Sequence, residues 1–190
     1  QSGHVKEVGV ELYQQMLEEA VAMAREGFDV ESGEAPSEKW SPTINMGTSV
    51  LIPEHYVEDL SVRMSLYRRI SELENVDEIE SFAAELIDRF GEIPEEVDNL
   101  IDIVRIKQLC RRAGVSQIDA GPKGAVVTFH DNNPPNVDGL MRWMQVKAGS
   151  VKLRPDQKLV AVRQWLTAGQ RVKGVQGLMK ELSELVQIAE

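Results

Sequence analysis

The hydrophobic period of this chain changes at Gly114. Between residues 55 and 113 apolar side chains recur every three or four positions, the spacing of amphipathic helices. Beyond Gly114, residues 115–118 and 125–130 are short β-branched and apolar runs separated by turn-forming residues. A chain that groups its helices before its strands does not build a doubly wound sheet. The expected class is α+β, a small, mostly antiparallel sheet with about five to six helices packed on it.

The helical half has clear boundaries. The spacing predicts a first helix over 55–73, with Tyr56, Leu60, Met64, Tyr67 and Ile70 near one face. Asn75 is a good N-cap, and Glu78 three residues later completes a capping-box pattern. The second helix then buries Val76, Ile79, Phe82, Ala83, Leu86, Ile87 and Phe90, and Gly91 supplies the stop. Pro94 suits the first turn of a third helix reaching Ala113, acidic at its start and basic at its end, as the helix dipole favours. Its apolar residues wrap widely, so it is expected at the centre. A strand over 43–52 precedes these helices. After Gly114 come two strands joined around Gly121-Pro122-Lys123-Gly124, and a short helix capped by Asn136 that buries Val137, Leu140, Met141 and Met144. A hairpin around Pro155-Asp156 and a last helix from Gln170 complete the order.

Residues 10–24 carry another helical pattern, ended by Gly27, and residues 27–42 are rich in Gly, Pro, Ser and carboxylates. The expected organisation is a helical tail of a preceding module at 1–26, a flexible acidic linker at 27–42 and a regulatory α+β domain at 43–190. Because the chain opens on Gln1, it is expected to be a segment of a longer polypeptide.

Charge divides the chain the same way. Residues 1–100 hold 7 basic and 23 acidic side chains, a balance of −16, and the remaining residues hold 14 and 8, a balance of +6. An acidic first half is repelled by DNA and favours a basic partner surface. No apolar run approaches the roughly 18 residues of a membrane helix, and a single cysteine, Cys110, fits a reducing compartment. A cytoplasmic protein with no membrane contact is expected.

The chemistry-bearing motifs are sparse. Gly121-Pro122-Lys123-Gly124 lacks the spacing and the following Ser or Thr of a phosphate loop, and reads as a hairpin turn. Glu54, His55, Glu58 and Asp59 could imitate a metal or acid–base cluster of a hydrolase, but a solvated helix start explains them better. Cys110, Trp143 and Trp165 lie in apolar segments and read as core. No catalytic residue, metal ligand or cofactor site is assigned. The most informative group is the polar side of the second helix, where Asp77, Ser81, Ala84, Glu85 and Asp88 point away from the apolar stripe and Arg89 lies at its edge. Glu85 and Asp88 are three apart and can meet one basic partner, and small Ser81 and Ala84 leave room for close approach. An ordinary wet helix face is the plain alternative. The basic residues of the second half, among them Arg111 and Arg112, raise a different reading, an accessory DNA-binding domain.

At these residues the sequence resembles bacterial transcription-repair coupling factors. The likeness runs through Gln1-Ser2-Gly3-His4, Val8-Gly9-Val10-Glu11-Leu12-Tyr13, Leu51-Ile52-Pro53, Leu66-Tyr67-Arg68-Arg69 and above all Glu85-Leu86-Ile87-Asp88-Arg89-Phe90-Gly91 with Pro94. The resemblance implies a parent that is an ATP-dependent double-stranded-DNA translocase, using ATP and Mg in its motor, displacing stalled RNA polymerase and recruiting UvrA in transcription-coupled DNA repair. It further implies that this C-terminal domain packs on an N-terminal UvrB-like module and hides the UvrA-binding surface. Glu85, Asp88 and Arg89 are the residues it carries to that contact.

The 190-residue chain, having no phosphate-binding motif, is expected neither to bind nor to hydrolyse ATP. Calorimetry should register no binding heat, and micromolar affinity would contradict the reading.

Overall fold

A computed structural model of the chain describes residues 40–47 and 51–187. The expected helix at 10–24 and nearly all of the acidic linker lie outside the described residues. Two compact units are present, one built on Ile52–Leu73 and the other on Pro42–Leu51 with Glu74–Glu190.

The first unit is a turn followed by helix α1, Leu60–Glu72. The helix starts later than residue 55. The Pro53 carbonyl accepts from the Tyr56 and Val57 N–H groups to form a separate turn, and Asp59 then caps α1 by accepting from Val62 N at 3.0 Å. Arg63, Leu66, Tyr67 and Ile70 are buried, while Leu60, expected inside, is exposed. Arg63 is tolerated there because its guanidinium donates to the Val57 and Glu58 carbonyls at 2.6 and 3.0 Å. The Tyr67 hydroxyl accepts from Ile52 N at 2.6 Å, which ties the approach segment to the helix.

The second unit contains strand β1 (Thr43–Asn45), helices α2 (Val76–Phe90) and α3 (Glu95–Ala113), and the hairpin β2 (Val115–Gly121) and β3 (Gly124–Phe129). A short 3-10 turn at His130–Asn132 leads to α4 (Val137–Val146), the hairpin β4 (Val151–Leu153) and β5 (Leu159–Val162), and finally α5 (Ala168–Gln187). The described residues thus form an α+β fold with five helices and a five-stranded mixed sheet of order β1-β2-β3-β5-β4. Among the described strands, β1–β2 pair in parallel and the other neighbours are antiparallel. The β2–β3 connection is as tight as expected, with Pro122 and Lys123 between the paired Gly121 and Gly124. Gly124 has φ +130°, and a Cβ there would collide with the Ala161 carbonyl on β5, so no other residue fits.

Register fixes which face is dry. Ile44, Ile118, Val127 and Leu159 lie side by side across four strands, and the last three are fully buried. Their core is completed by Ile106 and Cys110 of α3 and by Val172, Val175 and Met179 of α5. On the opposite face, Gln117, Asp119, Thr128 and Lys152 are exposed or half-exposed. A register shift between Val115 and Gln117 makes room for both Val115 and Ile118 on the inner side. Trp143 and Trp165 belong to this core, as expected. Of the residues expected on the buried side of α4, Leu140 is buried and Met144 packs against the core, but Val137 and Met141 are exposed, because Trp143 completes the inward side.

Helix α3 is central: it lies against α2, α5, β1 and β2, and even Asn99 and Asp102 on it are buried. Asp102 is 1% exposed. Its Oδ2 accepts from Lys173 Nζ of α5 at 2.5 Å and its Oδ1 from Arg105 at 3.1 Å, with Asp98 adding a second carboxylate 3.4 Å from Lys173. The hydrogen bond to Asp102 raises the Lys173 ammonium above its usual value of 10.5, while partial burial opposes the shift.

Removing the ammonium with Lys173→Met leaves a buried carboxylate short of one partner and should cost about 1–3 kcal/mol in urea unfolding. Lys180→Met, at an exposed position of the same helix, should stay within about 0.5 kcal/mol. A raised lysine pKa contributes stability that is complete below the unfolded value and fades as pH rises through the folded one. The difference between Lys173→Met and the unchanged chain should therefore persist at neutral pH and vanish only above about pH 10.5.

Candidate docking face on helix α2

Helix α2 is fixed at both ends. The Asn75 side chain accepts from Glu78 N at 2.9 Å, and Gly91, at φ +91°, donates its N–H to the Ile87 carbonyl at 3.0 Å. The capping box is displaced by one residue. Glu78 reaches back to the N–H of Glu74 at 2.8 Å rather than to that of Asn75. Ile79, Phe82 and Leu86 are sealed inside, which sets the rotation of the helix and hence what it shows to solvent.

The predicted site residues come together on the outer half of α2. Asp77, Ser81, Ala84, Asp88 and Arg89 are exposed and Glu85 is half-buried. Glu85 accepts from the Arg89 guanidinium at 3.3 Å across one turn, and that guanidinium lies 4.9 Å from the centroid of the Phe90 ring. An exposed pair of this kind contributes under about 1 kcal/mol to folding. Its effect is orientation: Arg89 lies along the helix and Asp88 stays open on the other side of the face.

Two residues of the expected apolar stripe are instead outside it, Val76 at 49% and Ile87 at 54% exposure. The buried arc is centred on Ile79, Phe82 and Leu86, and both side chains fall on its far flank. A hydrophobic pattern includes every apolar residue near the arc, and only packing shows which of them remain wet. Asp102 was likewise not legible as a buried carboxylate, since its neighbours in sequence are those of an ordinary amphipathic helix; its partner Lys173 lies 71 positions away.

Several basic residues of the second half are engaged within the fold. Lys173 and Arg105 are held by Asp102, Lys147 by Glu181 and Arg154 by Asp156. Arg171 donates to the Met46 and Trp165 carbonyls, and Arg163 to Ser150. Arg111 and Arg112 border an open groove of about 440 Å³ beside Glu74 and Asp77, so the charge there is mixed.

The remaining candidates are structural. Burial pushes the Cys110 thiol up to about 12, which disfavours the thiolate a nucleophile requires. Asp59 is occupied as the α1 cap, and Glu54, His55 and Glu58 lie exposed around the start of that helix. No group of three His, Cys, Asp or Glu side chains is placed to hold a metal among the described residues. Among them, too, no helix is long and apolar enough to cross a membrane.

Comparison with known proteins identifies the family. The TRCF domain family matches residues 46–140. The transcription-repair-coupling factor of Rickettsia conorii is 42% identical over 97% of this chain, that of Myxococcus xanthus 35% over 85%, and that of Escherichia coli K12 29% over 97%. The chain spans only 16%, 13% and 16% of those three proteins. Among solved structures, the C-terminal domain of a transcription-repair coupling factor superposes with a TM-score of 0.67 at 19% identity, covering 82% of this chain and all of that one, and so shares its fold. On these grounds the chain belongs to the transcription-repair-coupling factor family and carries its TRCF domain.

Proposed function

We propose that residues 43–190 form a non-enzymatic regulatory domain of a DNA-repair coupling factor, and that the outer face of α2 docks on a basic surface of the parent's N-terminal, UvrB-like module. In the docked state the UvrA-binding surface is covered and the ATP-driven DNA translocase is restrained. Residues 1–26 are then the tail of that motor module and residues 27–42 its linker. ATP, Mg, RNA polymerase and double-stranded DNA are engaged by other parts of the parent.

The observation that carries this reading is the outer half of α2, where Glu85, Asp88 and Arg89 stand with small Ser81 and Ala84 on a helix fixed by its caps and its buried face. Such a face loses little freedom on binding and presents net negative charge to a partner. Family membership supplies the parent. The accessory DNA-binding reading is weaker, because Arg105, Lys147, Arg154 and Lys173 are already paired with carboxylates of the fold.

Glu85→Arg with Asp88→Arg should leave the melt nearly unchanged, as surface replacements usually stay within about 0.5 kcal/mol. Truncating one partner of a desolvated interfacial charge pair costs about 2–5 kcal/mol. In the full-length parent the double variant should therefore bind UvrA more than tenfold better and turn over ATP faster. A variant that melts like the parent yet binds UvrA no better would falsify the latch. For DNA, the isolated chain should bind duplex weakly and lose that binding steeply with salt. Tight binding that survives physiological salt and disappears in Arg111→Ala with Arg112→Ala would favour the DNA-binding reading instead.

A further inference from the structure

We infer that β1 is a releasable clasp, a short strand that fastens the first unit's chain to the sheet of the second and comes away as a piece while strands β2 to β5 stay folded. None of this depends on where α2 docks. The chain belongs to the first unit up to Ser41, crosses to the second for residues 42–51 and returns to the first at Ile52. Its other crossing, between Leu73 and Glu74, is a single peptide bond. With β1 released, residues 42–51 become slack of up to about 35 Å, and the bond at 73–74 is left as a hinge. The returning chain is gripped at once, since Ile52 N donates to the Tyr67 hydroxyl of α1 at 2.6 Å. Four residues, 48–51, separate that grip from Gly47, so a pull on α1 that exceeds their reach is passed to β1.

The attachment is specific but small. Strand β1 is three residues long, lies at the sheet edge and pairs with β2 in parallel, the slightly weaker kind of ladder. Met46, just after it, is buried in the core, and Ile44 is half-buried. The Met46 carbonyl accepts from Arg171 Nη1 of α5 at 3.2 Å. The Asn45 side chain accepts from Gly47 N at 2.9 Å and closes the strand, with Gly47 at φ +67° and its missing Cβ only 3.1 Å from the Ala120 carbonyl. These contacts return β1 to one register, yet they are few beside those of β2, β3 and β5, whose inner residues share the core with α3 and α5. Strand β2 is moreover built as an edge. It carries Asp119, held by Gln117 at 2.8 Å, and its pairing with β3 shifts register between Val115 and Gln117. A charge and an irregular register keep an uncovered strand edge from pairing with other chains. A strand that is uncovered whenever β1 leaves needs both.

Cys110, the single cysteine of the chain, supplies an internal control, because it is fully buried and its labelling reports opening of the core. In the 190-residue chain carrying Met46→Cys, a maleimide should label position 46 about a hundredfold faster than Cys110. Adding Gly47→Ala or Arg171→Met, which loosen β1 from opposite sides, should speed labelling at position 46 several-fold and by a larger factor than at Cys110. The chain labelled at position 46, in which β1 cannot reseat, should still protect residues 124–129 and 159–162 from hydrogen exchange. Should Met46→Cys itself lower the melt, exchange in the unchanged chain replaces it: residues 43–47 should exchange at urea concentrations that leave β3 protected. Equal labelling of the two thiols, loss of sheet protection in the labelled chain, or exchange of 43–47 together with β3 overturns the clasp and leaves the docking reading standing.

Discussion

A carboxylate sealed in a protein interior must find cations, and Asp102 finds Lys173 on α5 and Arg105 one turn along its own helix. That contact ties α3 to α5 at a defined register. The rest of the second unit is arranged around the pair, since both helices reach β2 and contribute to the core that closes over the inner face of the sheet. Lys173 keeps much of its side chain in water, so the ammonium is not fully desolvated; Asp102 bears most of the burial. Such an arrangement specifies one packing more than it adds net stability, because buried ion pairs roughly offset their own desolvation.

Helix α2 depends on that placement. It lies along α3, and its three sealed side chains, Ile79, Phe82 and Leu86, determine its rotation. What α2 shows to solvent follows from that rotation. With those three inward, Asp77, Ser81, Ala84, Glu85 and Asp88 face out together, and Val76 and Ile87 lie exposed on one flank. The caps at Asn75 and Gly91 keep the end turns from fraying, so the face is presented already formed. A face ordered in advance can act as a latch with modest contact area, since little conformational entropy remains to be lost on docking.

Much of this was legible in the sequence because the deciding signals are local. The Asn75 cap, the stop at Gly91, the two-residue turn between Gly121 and Gly124 and the segregation of helices from strands are each set by residues within one turn of one another. Boundaries moved where a local competitor intervened, as at α1, where the turn on the Pro53 carbonyl comes first and Asp59 caps the helix. What could not be read was tertiary. The inward turn of Leu140 and Trp143 leaves Val137 and Met141 wet, the rotation of α2 leaves Ile87 wet, and the Asp102–Lys173 pair joins positions 71 apart. Periodicity ranks the sides of a helix, but only the neighbouring elements decide where the buried arc stops.

The central claim is that the outer face of α2, rather than the basic half of the chain, is what a partner covers. Hydroxyl-radical footprinting of the 190-residue chain, alone and with the parent's N-terminal module, reads this at individual side chains. The account predicts that Arg89 loses reactivity on complex formation while exposed Met141 on α4 and Leu166 before α5 do not. Protection of Met141 or Leu166 with Arg89 unchanged would contradict it.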